Sequence, residues 1–164
     1  MTCKCIRMYC FSMNDNMNDN MTDSVTGEQL PCLNLNHRKA TRVLNRIYDE
    51  HLSRAGVNVG QFSILRAVST LGETTNKELQ SLLAMDQTTL TRNLKPLMRD
   101  GLLLATPGED RRQRILTLSE HGRAVYHDAK VYWYQAQQKI YQHLGPERCQ
   151  QLLELSQAIV NLNK

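Results

Sequence analysis

Between Asp86 and Arg99 the chain carries residue types that read the edges of nucleic-acid bases, with no glutamate among them. Leu90, Leu94, Leu97 and Met98 recur at the spacing of one helix face and point to a core. Thr88, Thr91, Arg92, Lys95 and Arg99 recur on the opposite face, with Gln87 and Thr89 beside them. In a major groove Gln can grip adenine through two atoms, Arg can do so with guanine, and the Thr methyl can meet the thymine methyl. The first residues of a recognition helix come nearest the bases. Gln87, Thr88, Thr91 and Arg92 are therefore expected on bases, Thr89 within the same interface, and Lys95 on a phosphate.

A second cluster follows in Pro107–Arg114. Arg111, Arg112 and Arg114 crowd one loop tip, where they repel each other and gain little from packing. A narrow minor groove concentrates negative potential and attracts inserted arginine, so Arg112 is expected there, with Arg111 and Arg114 alongside. Asp110 is read as structural, orienting an arginine through a charge-assisted hydrogen bond.

These side chains need a scaffold, and the sequence predicts one that is mainly α with a small β-hairpin. Helices are expected over about Leu33–Ala55, with Ala40, Val43, Leu44 and Ile47 on one face, over Val59–Leu71 and over Asn76–Ala84. Asn58 with Gln61, and Thr75 with Glu78, have the spacing of capping boxes ahead of the second and third. A fourth helix starts after the N-cap Asp86. Strands are expected at Leu102–Thr106 and Arg114–Leu118. Ser119 then caps a long helix to about Leu144, which Gly145-Pro146 breaks to start the sixth. That last helix repeats Leu152, Leu155, Ile159 and Leu162 at coiled-coil-like spacing, which predicts a twofold partner. Pro96 removes a backbone donor deep in the fourth helix, so loosening is expected near Arg92–Lys95.

Composition narrows the partner. The net charge is +4, and residues 1–29 hold only two of the 20 basic but four of the 16 acidic side chains. The remaining body is thus net +6, which suits a polyanion. Residues 1–29 include the repeat Met13-Asn14-Asp15-Asn16, Met17-Asn18-Asp19-Asn20 and are read as a disordered extension, with Met13, Met17 and Met21 as alternative starts. Five cysteines, three of them in the first ten residues, give no secreted disulfide framework. Cys3, Cys5 and Cys10 lack a fourth ligand at suitable spacing, so no metal site is expected. No signal peptide or apolar run long enough to cross a membrane is read, and a cytoplasmic location is expected. The sequence has no phosphate-cradling glycine loop and no nucleophile set beside its base, so neither an enzyme nor a cofactor is expected.

The run Asp110-x-Arg112-Gln113-Arg114-x-Leu116-x-Leu118-Ser119, the segment Asp86–Leu94, Asp100-Gly101-Leu102 and Ser119-Glu120-His121-Gly122-Arg123-Ala124 together resemble the MarR-type multiple antibiotic resistance regulators. The resemblance covers about Leu30 to Leu162. It implies a winged helix-turn-helix of six helices, with a DNA-binding lobe over about 57–118. The dimerisation lobe would be residues 30–55 plus 119–164, joining a homodimer through the N- and C-terminal helices. The implied partner is a pseudo-palindromic double-stranded DNA operator, and the implied role is that of a repressor released by a signal. Cys32 stands where organic-hydroperoxide regulators of that family carry a sensing cysteine, but Asn36 and Arg46 occupy the places of their two tyrosines. A small aromatic ligand is the other signal to weigh, with Tyr48, His51 and Trp133 as candidate lining. The alternative reading is a helical protein-interaction module that never touches DNA.

Overall fold

The computed structural model describes residues 31–108 and 113–163. The extension 1–29 with its cysteines and alternative starts, and Asp110, Arg111 and Arg112, lie outside the described residues. The chain divides into a unit of residues 1–39 and a unit of residues 40–164.

The elements are α1 (Leu33–Leu52), a 3-10 turn at Ser53–Ala55, α2 (Val59–Leu71), β1 (Thr74–Thr75), α3 (Asn76–Leu83), α4 (Gln87–Arg99), β2 (Leu103–Pro107), β3 (Arg114–Leu118), α5 (Glu120–Leu144) and α6 (Pro146–Val160), with a 3-10 turn at Asn161–Asn163. Local chemistry fixes most of these boundaries. Asn58 and Gln61 exchange hydrogen bonds at the start of α2, and Thr75 and Glu78 do so at the start of α3. Asp86 accepts from the Thr89 amide, and Ser119 accepts from the Gly122 amide. Each satisfies a donor that a helix start would otherwise leave unpaired. Pro146 opens α6, where the missing N–H costs nothing.

Four expectations shift. The first helix stops at Leu52 and tightens into a 3-10 turn before Gly56. The third ends at Leu83, because Ala84 turns left-handed at φ +50° to start the bend into α4. The first of the two expected strands, now β2, begins one residue late: the Leu102 amide is spent on the Leu97 carbonyl and the Leu102 carbonyl on the Ser119 amide. Where a kink or loosening is expected near Arg92–Lys95, α4 runs on past Pro96 to Arg99.

The strands form a three-stranded antiparallel sheet in the order β1-β3-β2. Thr74 pairs with Leu116, and Leu103 with Leu118. Pro107 sits on the edge strand β2 opposite Arg114, where its missing donor is tolerated. The core centres on α2, whose Phe62, Ile64, Leu65 and Val68 are buried with Leu52, Leu79, Leu90, Leu97, Leu116 and Ala129. Burying Leu90, Leu94 and Leu97, at roughly 1.5–3 kcal/mol each, fixes the rotation of α4 about its axis. Among the described residues no helix is long and apolar enough to cross a membrane.

Candidate nucleic-acid interface

With its leucines turned inward, α4 presents Gln87, Thr88, Thr89, Thr91, Arg92 and Lys95 to solvent, and all six are exposed. Their hydroxyls are not equally free. Thr89 Oγ1 donates to Asp86 Oδ2 at 2.7 Å, so this threonine completes the helix cap. Thr91 Oγ1 donates to the Gln87 carbonyl at 2.7 Å, which leaves its methyl as the outward group. Asn93, one turn on, donates to the Thr89 carbonyl. Arg99 is held by Asp100 at 2.8 Å. Among the described residues neither Arg92 nor Lys95 lies within ion-pair distance of a carboxylate.

The hairpin lies beside this face. Gly108 N–H donates to the Gln113 carbonyl at 3.0 Å and closes the base of the loop. Thr91 and Lys95 of α4, Arg114 of β3 and Asn76 of α3 line one cleft of about 330 Å3, floored by Leu94, Met98, Ala105 and Leu116. Three of the residues predicted from the sequence are thus brought together. Asn76 was not among them, because its place at the cleft depends on how α3 packs on the sheet.

The ends of the helix pair are electrostatically firm. The Thr75 amide, then the Thr75 and Thr74 hydroxyls, hold the Glu78 carboxyl below its ordinary range. The Thr89 amide and hydroxyl do the same for Asp86.

The profile of the MarR family matches residues 57–113, the stretch from α2 to the hairpin loop. The transcriptional regulator MosR of M. tuberculosis, in a crystal structure with DNA, is 33% identical, with a TM-score of 0.70 over 79% of this chain and 96% of that one. The chain belongs to the MarR family. A mutant of MarR from E. coli, crystallised with operator DNA, shares the fold at 22% identity and a TM-score of 0.70, over 77% of this chain and 92% of the other. The HTH-type transcriptional regulator YwoH of Bacillus subtilis (strain 168) is 29% identical over 93 residues, 57% of this chain and 68% of that protein.

In this MarR-family chain the residues proposed to receive a signal are dispersed. Cys32 is exposed at the start of α1, where its Sγ accepts from the Leu35 amide at 3.4 Å. Asn36 donates to the Cys32 carbonyl. Trp133 stacks on Phe62 and lies under the Arg66 guanidinium at 4.6 Å. With Phe62, Arg66, Thr70, Tyr126, Lys130 and Tyr134 it lines a cleft of about 250 Å3. Tyr48 and His51 are not part of that lining. Tyr48 donates to Gln137 Oε1 at 2.6 Å, and burial, then the neighbouring Tyr141, pushes its pKa up, so it stays a donor. His51 Nδ1 lies 2.9 Å from the Ile47 carbonyl of its own helix.

Proposed function

We propose that this protein regulates transcription as a homodimer that binds an inverted-repeat operator in duplex DNA, acting in the cytoplasm as a repressor. The observation that carries the reading is the acid-free outer face of α4, exposed beside Arg114 at a shared cleft. In this reading Gln87, Thr88, Thr91 and Arg92 meet base edges, Thr89 holds the helix start in shape, and Lys95 and Arg114 meet phosphates. From the sequence, Arg112 is assigned to the flanking minor groove, Arg111 to DNA contact and Asp110 to orienting one arginine. MosR and E. coli MarR, both crystallised with DNA, support the partner.

The homodimer is supported by α6 and the 3-10 turn after it, which carries Leu162. Leu155, Ile159 and Leu162 of the predicted seam are exposed in the single chain, at 65%, 52% and 80%. A contiguous apolar stripe of this kind marks a protein–protein surface. Release from DNA would come from a small aromatic molecule in the Trp133 cleft or from oxidation of Cys32. Persistence of peroxide-induced release in Cys32→Ser would remove Cys32 as the sensor.

Gel shifts with the intergenic DNA upstream of the protein's own gene test the central reading at two salt concentrations. Each neutralised phosphate releases counterions, so affinity should fall steeply as salt rises. Weak binding that ignores salt would instead favour a protein-interaction module.

A further inference from the structure

Three consecutive residues near the end of α1 reach two different elements. Tyr48 donates to Gln137 of α5, and Glu50 lies 3.8 Å from Lys139 of the same helix. Asp49, between them, reaches α2 instead: its Oδ1 accepts the Val59 N–H at 2.7 Å. That amide is the first unpaired donor of α2, and a carboxylate there also complements the positive end of the helix dipole. Yet α2 already has a complete cap of its own in Asn58 and Gln61. Asp49 is therefore a second acceptor delivered from another helix, and its distinctive effect is to fix where the start of α2 sits against α1.

We infer that Asp49 is a positioning residue that sets the distance between the two recognition helices of the dimer. The inference rests on the DNA-binding reading above. α1 belongs to the proposed dimerisation lobe and enters the shared core only through its last residue Leu52, with Tyr48 packed against it, while α2 centres that core, on which α3, α4 and the sheet pack. A directed hydrogen bond between them restrains the pivot of one lobe on the other. With that bond gone, each α4 can follow a half-site that has moved.

The test uses the full-length protein and the inverted repeat that wild type selects from a random duplex library, together with the same repeat carrying one added central base pair. The insertion shifts the half-sites by about 3.4 Å and roughly a tenth of a turn. Wild type should lose about tenfold or more in affinity, and Asp49→Ala less than about threefold. Asp49→Asn, which keeps an acceptor oxygen, should retain the wild-type penalty. Asn58→Ala weakens the same helix start without touching α1 and should retain it too. A wild-type penalty in Asp49→Ala overturns the inference, and so does an equal flattening in Asn58→Ala or Asp49→Asn. Failure of wild type to select any duplex would remove the DNA reading itself, and this inference with it.

Discussion

Gly122, in the first turn of α5, lies so close to Leu102 that a Cβ at residue 122 would overlap the Leu102 carbonyl oxygen and sit 2.9 Å from the carbonyl carbon. The obstacle is backbone and cannot rotate away. Ser119 reinforces the approach, since its hydroxyl donates to the Gly101 carbonyl at 2.6 Å while accepting from the Gly122 amide at 2.8 Å. The exit from α4 and the start of α5 are thereby clamped together. Gly122→Ala should destabilise the protein by about 1–3 kcal/mol, read as a lower denaturant midpoint. An unchanged midpoint would mean that α5 can shift at no cost.

Glu78 and Asp86 should make the helix pair sensitive to acid. Their folded pKa values are depressed, so the stabilisation is present above the ordinary carboxylate value near pH 4 and lost as pH falls through the folded values. Thermal melts should show a falling Tm between about pH 5 and pH 3. In a Glu78→Gln, Asp86→Asn double variant the fall should be shallower. A wild-type slope in that variant would assign the acid response to other carboxylates.

Arg92 and Lys95 should fail in different ways. Arg92→Ala should relax base preference at one position per half-site, at about 1–3 kcal/mol, as seen by binding to a panel of operator variants. Lys95→Ala should weaken all sequences alike and reduce the slope of log affinity against log salt by about one. Exchanged outcomes would reverse the two assignments.

Leu155 should matter to assembly more than to folding, since it is 65% exposed in the single chain. Leu155→Glu places a charge in the proposed α6 seam. Light scattering should show half the wild-type mass at micromolar concentration, while circular dichroism keeps the helical signal. A dimer of undiminished mass would move the interface off this stripe.

Much of the fold was legible because its helices announce their own starts. Asn58, Thr75, Asp86 and Ser119 each cap the helix expected of them, and Pro146 opens the last one. The outward face of α4 was legible for the same local reason, a leucine period that leaves only one way for the helix to turn. What stayed hidden depends on partners distant in sequence. β1 is two threonines with no period of their own, defined only by pairing with Ile115 and Leu116. The Asp49–Val59 bond and the Gly122 approach exist only once helices are packed. Which side chains of α1 and α5 share a cleft depends likewise on packing: Trp133 lines one with Phe62 and Arg66, while Tyr48 bonds Gln137.

The pairing of β1 with β3 has a mechanical consequence. Thr74 and Thr75 immediately precede α3, yet they are stitched to the inner strand of the hairpin. β3 is thus not an independent strand: tugging it strains the same few residues that open the helix pair. If α4 and the hairpin both grip DNA as proposed, whatever dislodges one loosens the other, so disengagement should be all-or-none, with no lingering half-bound state.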